Sequence, residues 1–348
     1  MNEINFTCPI PLTEYDKILL GHGSGGKLSA ELIEKIFVPA FNNKILDQLG
    51  DQAVVDINGT KVAFTTDSYV VNPIFFPGGN IGDLAVNGTV NDLAVGGAKP
   101  LYISAGLILE EGFAINELCA VVESMKQAAK NAGVILVTGD TKVVDKGKGD
   151  KIFINTSGIG IIDDDVEISP QKVKPADKII LSGPIGLHGI TILSKREGLE
   201  FDVELESDTT PLNHLVNKML YASKNIRWMR DTTRGGLSST LNELAKSTKL
   251  GVEIIETEIP IPESVKAACE MLGLDPLYVA NEGNLAAVVP AEDADKIVEA
   301  MKKCPAGKGA VVIGEVVDDH QGMVLMKTLI GGKRVVDMLS GEQLPRIC

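Results

Sequence analysis

The order of apolar segments along the chain is the feature that most restricts its fold. Short strand-like runs alternate with longer helical patterns in two stretches, and the polar segment DDDVEISPQKVKPAD (163–177) separates them. Such alternation predicts sheets layered with helices, and a polar segment with two prolines predicts a boundary. We therefore expect an α/β (α+β) chain with helices on one face of each sheet. The expected parts are an N-terminal domain (1–165), a C-terminal α/β domain (166–332) and a mobile tail (333–348).

Individual elements are predicted from the period of their apolar residues. We expect a helix after the glycine-rich segment at 21–26, a buried helix at 83–98, and an amphipathic helix at 116–133 with Asn116 as its N-cap and Gly133 after its last turn. Further helices are expected near 211–224, 235–247, 263–272 and 292–303. Strands are expected at 61–67, 101–109, 134–140, 151–162, 178–183, 285–289, 309–317 and 322–326.

Composition excludes some classes of protein. The chain has 348 residues, a net charge of −14 and 44% hydrophobic residues, so it can build two cores but has no basic face for nucleic acid. It has neither an apolar leader nor an apolar run long enough for a membrane helix, and we expect it in the cytoplasm. Its five widely spaced cysteines indicate reduced thiols rather than disulfides or a zinc site. They are Cys8, Cys119, Cys269, Cys304 and Cys348.

The segment GHGSGGKLS (21–29) resembles a Walker A phosphate loop with one substitution. Leu28 stands where that loop has the Ser or Thr that binds Mg²⁺, and Ser29 points about 100° further round the helix. The alternatives are a glycine-rich phosphate grip of another design, which binds through backbone N–H groups and Lys27, or a flexible surface loop.

Five aspartates lie at strand ends, at glycine turns or in apolar surroundings. Carboxylates there are costly unless they are paired or bind a metal ion, so the set favours Mg²⁺, which binds oxygen and bridges to phosphates; each alone is also typical of a helix cap. They are Asp51, Asp67, Asp92, Asp140 and Asp231. The segment TTRGGL (232–237) adds Arg234 and two glycines at a helix start, which is typical of an anion site. The loop NPIFFPGGNIG (72–82) is either a turn or a wall of a nucleotide pocket.

These motifs together resemble the HypE family of carbamoyl dehydratases, which act in [NiFe]-hydrogenase maturation. That family belongs to the ATP-binding superfamily of aminoimidazole ribonucleotide synthetase, selenophosphate synthetase and thiamin-monophosphate kinase. The resemblance covers nearly the whole chain and rests most on GDTKVV (139–144), NEGNL (281–285) and the final PRIC (345–348). It implies two α/β domains, pairing of N-terminal sheets in a homodimer, and ATP near the dimer interface.

The resemblance also implies the chemistry. The carbamoyltransferase HypF would place a carbamoyl group on Cys348, the chain would dehydrate it to a thiocyanate with ATP and Mg²⁺ as a lyase, and the HypC–HypD complex would accept the cyanide for iron. Glu282 is implied as base or proton relay, and Lys142 as the group that orients the carbamoyl. We assign metal binding to Asp51, Asp67, Asp92 and Asp231. We assign ATP binding to His22, Gly23, Gly25, Gly26, Lys27, Asp67, Asn91, Asp140, Thr141, Arg234, Gly235 and Gly236. His188, His214 and His320 are expected to be structural.

Two other functions fit part of the pattern. The chain is alternatively a small-molecule kinase or synthetase of the same superfamily, although such an enzyme has no use for a carrier thiol. It is alternatively a non-catalytic carrier that presents Cys348, although a carrier has no use for the aspartates and glycine loops.

Overall fold

The fold is given by a computed structural model that describes residues 15, 17–41, 43–199, 205–339, 344 and 346–348. Its strands are β1 (Ala53–Ile57), β2 (Thr60–Tyr69), β3 (Phe75–Phe76), β4 (Gly79–Asn80), β5 (Lys99–Glu110), β6 (Ile135–Val144), β7 (Ile152–Ile162), β8 (Lys178–Leu181), β9 (Trp228–Asp231), β10 (Gly251–Ile255), β11 (Leu285–Val289), β12 (Val311–Val317), β13 (Val324–Lys327) and β14 (Lys333–Val335). Its α-helices are α1 (Lys27–Leu32), α2 (Val38–Phe41), α3 (Ile81–Val95), α4 (Ile115–Ala132), α5 (Leu187–Glu197), α6 (Asn213–Ala222), α7 (Gly236–Thr248), α8 (Glu263–Leu272) and α9 (Ala294–Lys302). A π-helical segment, Ile33–Phe37, joins α1 to α2.

The N-terminal sheet has the strand order β1-β2-β7-β5-β6. All neighbours are antiparallel except β5 and β6, which α4 connects as a crossover. Helices α3 and α4 cover one face of this sheet. Helix α3 is buried along almost its whole length, because it also contacts α6 and β9 of the second half. This position explains why the sequence of α3 is apolar all round rather than amphipathic.

The opposite face of the N-terminal sheet is exposed and apolar. Side chains on this face include Phe64, Tyr102, Ile108, Ile159 and Ile161, each at least 40% exposed. A monomeric protein seldom leaves so large an apolar face to water, so this face is suited to a contact with another protein surface.

The C-terminal sheet has the strand order β14-β13-β10-β12-β8-β11-β9. Ile180 and the alternate residues of β11 pack with α6 and α9 on one face, whereas Ile179 and Leu181 pack with α7 on the other. The expectation that helices cover one face of each sheet is therefore wrong for this half. Every residue of β11 is buried, and a continuous apolar run such as LAAVV is typical of a strand covered on both faces.

Most other predicted elements are present with shifted ends, but the N-cap of α4 is Ala114 rather than Asn116. Gly133 follows α4 with φ of 73°, as predicted. The sequence patterns missed α5 and the strands β1, β3, β4, β9, β10 and β14. The predicted boundary at 163–177 contains no strand and one short 3₁₀ turn, Pro170–Lys172. The domain limits at 165 and 332 stay predictions.

The described end of the chain packs against the body of the protein. β14 pairs with β13, Val336 and Leu339 are buried, and Leu344 and Ile347 join the core beneath the N-terminal sheet. Residues 340–343 and 345, which belong to the predicted tail, lie outside the described residues, as does Cys8. Cys119, Cys269, Cys304 and Cys348 are free thiols. Among the helices of the described ranges, none is both long and apolar enough to cross a bilayer.

The close approach of α3 to the N-terminal sheet yields a test. A Cβ atom at Gly158 of β7 would lie 2.7 Å from Cγ2 of Thr89 and 2.9 Å from Cδ1 of Leu93, both on α3. We expect Gly158→Ala to lower the free energy of unfolding by about 1–3 kcal/mol through overpacking. Urea denaturation measures this change. The matched control is Gly106→Ala on the adjacent β5, where the nearest atom is 3.8 Å from the new Cβ. Equal losses in both variants would contradict the proposed packing constraint.

Candidate active site

Three aspartates from separate elements meet where the two halves of the chain join. Asp51 precedes β1, Asp92 lies on α3 and Asp231 ends β9; one carboxylate oxygen from each lies within 4.8 Å of the others. The hydroxyl of Thr65 lies 2.9 Å from Oδ2 of Asp92 and 2.7 Å from the backbone oxygen of Asp51. Three converging carboxylates form an oxygen-donor set of the kind that hard divalent cations prefer.

The electrostatics of this cluster favour binding of positive charge. Burial and then the charges of Asp231, Asp51 and Asp67 raise the pKa of Asp92 well above its ordinary value. Burial, followed by the charge of Asp51, raises the pKa of Asp231 to about 8. Arg230 offsets part of the repulsion, because its guanidinium lies 2.8 Å from Asp51 and 3.0 Å from Glu243. The remaining negative charge is stabilised by protons or by a cation.

The turn before α7 brings Arg234 and two glycines to the edge of this cluster. Gly235 and Gly236 have φ of 76° and 60°, which glycine adopts without strain. Arg234 Nη2 lies 3.9 Å from Oδ1 of Asp67. The neighbouring positive end of α7 and the Arg234 guanidinium suit an anion such as a phosphate.

The glycine-rich segment near the start of the chain lies against this turn. Any side chain at Gly25 would meet Arg234, and one at Gly26 would meet the backbone oxygen of Leu339. The hydroxyl of Ser29 lies 3.0 Å from both the backbone nitrogen of Gly25 and the oxygen of His22, so it closes the loop. Residues 17–19, which precede the loop, form no strand. The Walker A interpretation therefore lacks both its strand and its metal-binding hydroxyl.

Glu282 is buried beside the carboxylate cluster. The residue is only 3% exposed, and its Oε1 atom has no hydrogen-bond partner among the described residues. Burial raises its pKa well above the ordinary value; Asp231, Asp67 and Asp208 raise it further, and Arg234 acts in the opposite direction. A carboxylate whose pKa is raised in this way is a stronger base than an ordinary carboxylate.

The last residues of the sequence bring a thiol to the same place. The backbone N–H of Val70 donates to the Cys348 oxygen (3.0 Å), and that of Asn72 donates to the Arg346 oxygen (3.1 Å). The segment therefore pairs with the chain just after β2. Burial raises the pKa of the partly buried Cys348 thiol to about 12; Arg234 lowers it, and Glu282, Asp67 and Asp231 add to the rise. The thiol and these four charged side chains share one electrostatic environment.

Several predicted site residues lie elsewhere in this chain. Asp140, Thr141 and Lys142 are exposed on the edge strand β6, where Lys142 pairs with Asp140 at 2.5 Å. Two strands separate β6 from β2. Asp140, Thr141 and Lys142 therefore lie about 14 Å from Asp67 within one chain. Asp140 and Thr141 border a largely apolar cavity of about 500 Å³ between α4 and β6. The assigned roles of all three residues stay predictions.

The structure also shows the surroundings of four other assigned residues. Both N–H donors of the Asn91 amide are used, on the backbone oxygens of Thr210 and Glu282, and its oxygen accepts from Leu212. Asn91 thus holds the Glu282 loop through its amide, and its assigned contact with ATP stays a prediction. Asp67 stays outside the three-carboxylate group. His22 is bonded within its own turn, to Leu19, and the Lys27 side chain is exposed.

Sequence reasoning missed Asp208, Arg230, Thr65 and the position of His188. Asp208 accepts the backbone N–H groups of Glu282 (3.0 Å) and Gly283 (3.2 Å), so it fixes the loop that carries Glu282. Burial raises its pKa to about 6. The segment around it, ESDTTPLN (206–213), has the composition of an ordinary loop, and its sequence gave no signal of this contact.

Comparison with known proteins identifies this architecture. The model of the N-terminal domain of AIR synthase related proteins matches residues 49–162, and that of the C-terminal domain matches residues 174–327. The chain thus has the two-domain fold of this class, as predicted.

Close relatives narrow the class. A carbamoyl dehydratase HypE of Azotobacter vinelandii is 54% identical over 94% of this chain and 96% of the relative. A solved structure of a HypE–HypF complex is 46% identical, covers 88% of this chain and 99% of that one, and has a TM-score of 0.84. Another, of HypE in complex with ATP, is 48% identical over 95% and 100%, with a TM-score of 0.80. The chain belongs to the HypE family of carbamoyl dehydratases, and the predicted family is confirmed.

The raised pKa of Asp208 predicts a pH dependence of stability. An unfolded aspartate has a pKa near 3.9, and the folded value is about 6. The contribution of Asp208 to the free energy of unfolding is therefore fully present below about pH 4 and is lost as the pH rises through about 6. Asp208→Asn cannot ionise and keeps an acceptor for the loop. As the pH rises from 4.5 to 8, the unmodified protein loses this contribution and Asp208→Asn does not. The free energy of unfolding of the variant minus that of the unmodified protein should therefore increase by about 1–3 kcal/mol over this range.

Urea unfolding at several pH values measures this difference. The control is Asp318→Asn, which removes an exposed carboxyl group and so reports any general effect of losing one charge. A flat difference for Asp208→Asn would contradict the assigned burial effect.

Proposed function

We propose that this chain dehydrates a thiocarbamate carried on its own Cys348, using ATP, and so makes a protein thiocyanate that supplies cyanide to the iron of [NiFe]-hydrogenase. The observation that carries the proposal is the docked end of the chain. It brings the Cys348 thiol into the electrostatic range of Glu282, Arg234 and Asp67, beside three converging carboxylates. A site with a partly buried thiol, a buried proton acceptor and anion-binding groups suits phosphorylation of an amide that is attached to the sulfur.

The reaction needs ATP because the amide oxygen is a poor leaving group. As hydroxide it would leave as the conjugate base of water, whose pKa is about 15.7. In the proposed step the oxygen of Cys–S–C(O)NH₂ attacks the γ-phosphorus of ATP and releases ADP. Phosphate, which is a far weaker base than hydroxide, then leaves with that oxygen. Both N–H protons are lost as the C≡N bond forms; one ends on the departing phosphate and the other is released, so the balance is thiocarbamate plus ATP to thiocyanate, ADP, hydrogen phosphate and one proton.

The chain's own groups serve these steps. Glu282 takes an N–H proton, because its raised pKa makes it a stronger base than an ordinary carboxylate. Arg234 and the N–H groups at the start of α7 stabilise negative charge on the transferred phosphate. The glycine-rich segment at 21–26, with Lys27, covers the phosphates from the opposite side, and its packing on Arg234 and Leu339 supports this position.

Mg²⁺ is the cation that we propose for the carboxylate cluster. Asp51, Asp92 and Asp231 would hold it, and the donor set fits because all three groups supply oxygen and their repulsion is only partly offset by Arg230. The ion supplies positive charge to the triphosphate. Asp67, at the edge of the cluster, would contact the bound Mg·ATP.

A homodimer would complete the site. The exposed apolar face of the N-terminal sheet supports pairing of two such sheets, and Lys142, Asp140 and Thr141 lie on its edge strand. We propose that these residues act on the site of the second copy, where Lys142 orients the carbamoyl group. This arrangement accounts for their distance from Cys348 within one chain.

The proposed partners follow from the same chemistry. HypF, which forms a complex with a 46% identical relative, would carbamoylate Cys348, and a HypC–HypD complex would receive the cyanide. The end of the chain must leave its docked position for both exchanges. The proposed location is the cytoplasm. The docked thiol argues against a small-molecule kinase, and the buried Glu282 and the three aspartates argue against a passive carrier.

The thiocyanate proposal is tested by incubating the chain with HypF, carbamoyl phosphate and Mg·ATP. Mass spectrometry should show that the Cys348 peptide gains a carbamoyl group and then loses the mass of one water. Cys348→Ala should abolish both products, while Cys119→Ala, which removes an exposed thiol, should not. Glu282→Gln should accept the carbamoyl group but dehydrate it about 10²–10⁴-fold more slowly. Dehydration at the normal rate in Glu282→Gln would exclude it as the base.

The metal proposal is tested by thermal unfolding with and without Mg·ATP. Asp92→Asn should lose most of the ligand-induced stabilisation, which is about 2.7 kcal/mol at 100-fold excess over Kd. Without ligand it should unfold at the same or a higher temperature, since a repulsive charge is gone. Asp163→Asn, at an exposed position, is the control.

Protons compete with the cation for carboxylates of raised pKa. The gain from Mg·ATP in the unmodified protein should therefore fall as the pH drops from about 8.5 to 6.5. In the comparison of variants, full stabilisation of Asp92→Asn by Mg·ATP would show that Asp92 is not a ligand of the metal ion.

A further inference from the structure

A buried histidine contacts the backbone of the docked end of the chain. His188, the second residue of α5, is 0% exposed. Its Nε2 lies 2.6 Å from the backbone oxygen of Ile347, and its Nδ1 lies 2.7 Å from Oγ of Ser207. The ring packs edge-on to Phe76, with centroids 5.6 Å apart and planes at 90°. The imidazole therefore bridges a fixed loop and the residue before Cys348.

The two contacts fix the tautomer of the ring. A backbone carbonyl only accepts, so Nε2 carries the proton and donates it to Ile347. Burial lowers the pKa of His188 to about 4, so the ring is neutral at pH 7 and Nδ1 accepts from the Ser207 hydroxyl. Ser207 is itself held, because its oxygen accepts from the Thr209 N–H (3.1 Å) and its N–H donates to the Pro77 oxygen. The donor is thus aimed before the end of the chain docks.

The other bonds to this segment differ in kind. Val70 and Asn72 donate from the backbone, and the guanidinium groups of Arg196 and Arg346 make partly exposed contacts. Among the described residues, His188 is the fully buried side chain that donates to the segment. Its partner, Ile347, directly precedes the thiol residue, so His188 adds a fixed side-chain contact beside the backbone bond from Val70 to Cys348.

We propose that His188 is a positioning residue, which sets the register of the docked segment and so the place of the Cys348 sulfur relative to Glu282. It acts through the backbone of Ile347 and takes no part in proton transfer. The inference rests on the proposed function only in one respect, namely that the Cys348 sulfur carries the carbamoyl group. The docked position of the segment does not depend on that function.

The test is the rate at which iodoacetamide alkylates Cys348 in the full-length protein, followed by peptide mass spectrometry. The docked thiol reacts through its undocked fraction. His188→Phe keeps the volume and removes the donor, which leaves the buried Ile347 carbonyl unpaired. We expect alkylation at Cys348 to accelerate on the order of tenfold or more, with Cys119 as an internal reference. In His188→Gln, whose amide N–H can reach the position of Nε2, most of the protection should return.

A matched control separates this effect from general loosening. His214 also contacts a backbone oxygen through Nε2, that of Asn131 at 2.8 Å, but on α6. His214→Phe should leave alkylation of Cys348 unchanged. If His188→Phe does not fold, Ser207→Ala replaces it, because loss of the Ser207 hydroxyl frees the other tautomer and should also raise the rate.

The outcomes decide the proposal without carbamoyl chemistry. An unchanged rate in a folded His188→Phe, an unchanged rate in Ser207→Ala, or an equal acceleration in His214→Phe would overturn it. If His188→Phe accelerates alkylation but the unmodified protein makes no thiocyanate with HypF and Mg·ATP, the proposed function fails and the positioning role stands.

Discussion

The junction between the two halves of the chain depends on a concentration of negative charge that the fold cannot neutralise alone. Helix α3 carries Asp92 between the two sheets, and β9 delivers Asp231 to the same point. Arg230 reaches Asp51, but burial still raises the pKa of Asp92 and Asp231. A fold that maximised stability would replace such a cluster by apolar side chains. A bound cation that supplies the missing positive charge would explain why Asp92 stands in an otherwise apolar helix.

The same junction places the reacting end of the chain beside this charge. Because the thiol is part of the enzyme, its local concentration is set by the tether rather than by diffusion. Main-chain bonds from Val70 and Asn72 and the side-chain bond from His188 convert that proximity into one register. Small displacements of reacting groups are costly to rates, so several weak bonds to the backbone serve better here than one strong bond to the sulfur.

Sequence alone predicted the class of fold and the convergence of five aspartates at strand ends, glycine turns or apolar surroundings. Three of them, Asp51, Asp92 and Asp231, come together, whereas Asp67 and Asp140 lie outside that group. The sequence did not predict His188 or Asp208. Their partners, Ile347 and Glu282, are 159 and 74 residues away in the sequence, and neither local segment has an unusual composition. It also could not show that Lys142 and Asp67 lie on strands separated by two others. Tertiary pairings of this kind leave no periodic signal.

Docking through the backbone also explains how one pocket can accept different groups on the same sulfur. The bonds from Val70, Asn72 and His188 end on the oxygens of residues 346–348, so they do not change when the thiol becomes a thiocarbamate and then a thiocyanate. What changes is the hydrogen bonding of the transferred group. In the proposed reaction a carbamoyl group would bring two N–H donors toward the unpartnered Oε1 of the buried Glu282, whereas a thiocyanate would bring none. On this proposal the buried acceptor would favour the docked thiocarbamate over the docked product, and dehydration itself would promote release of the end of the chain.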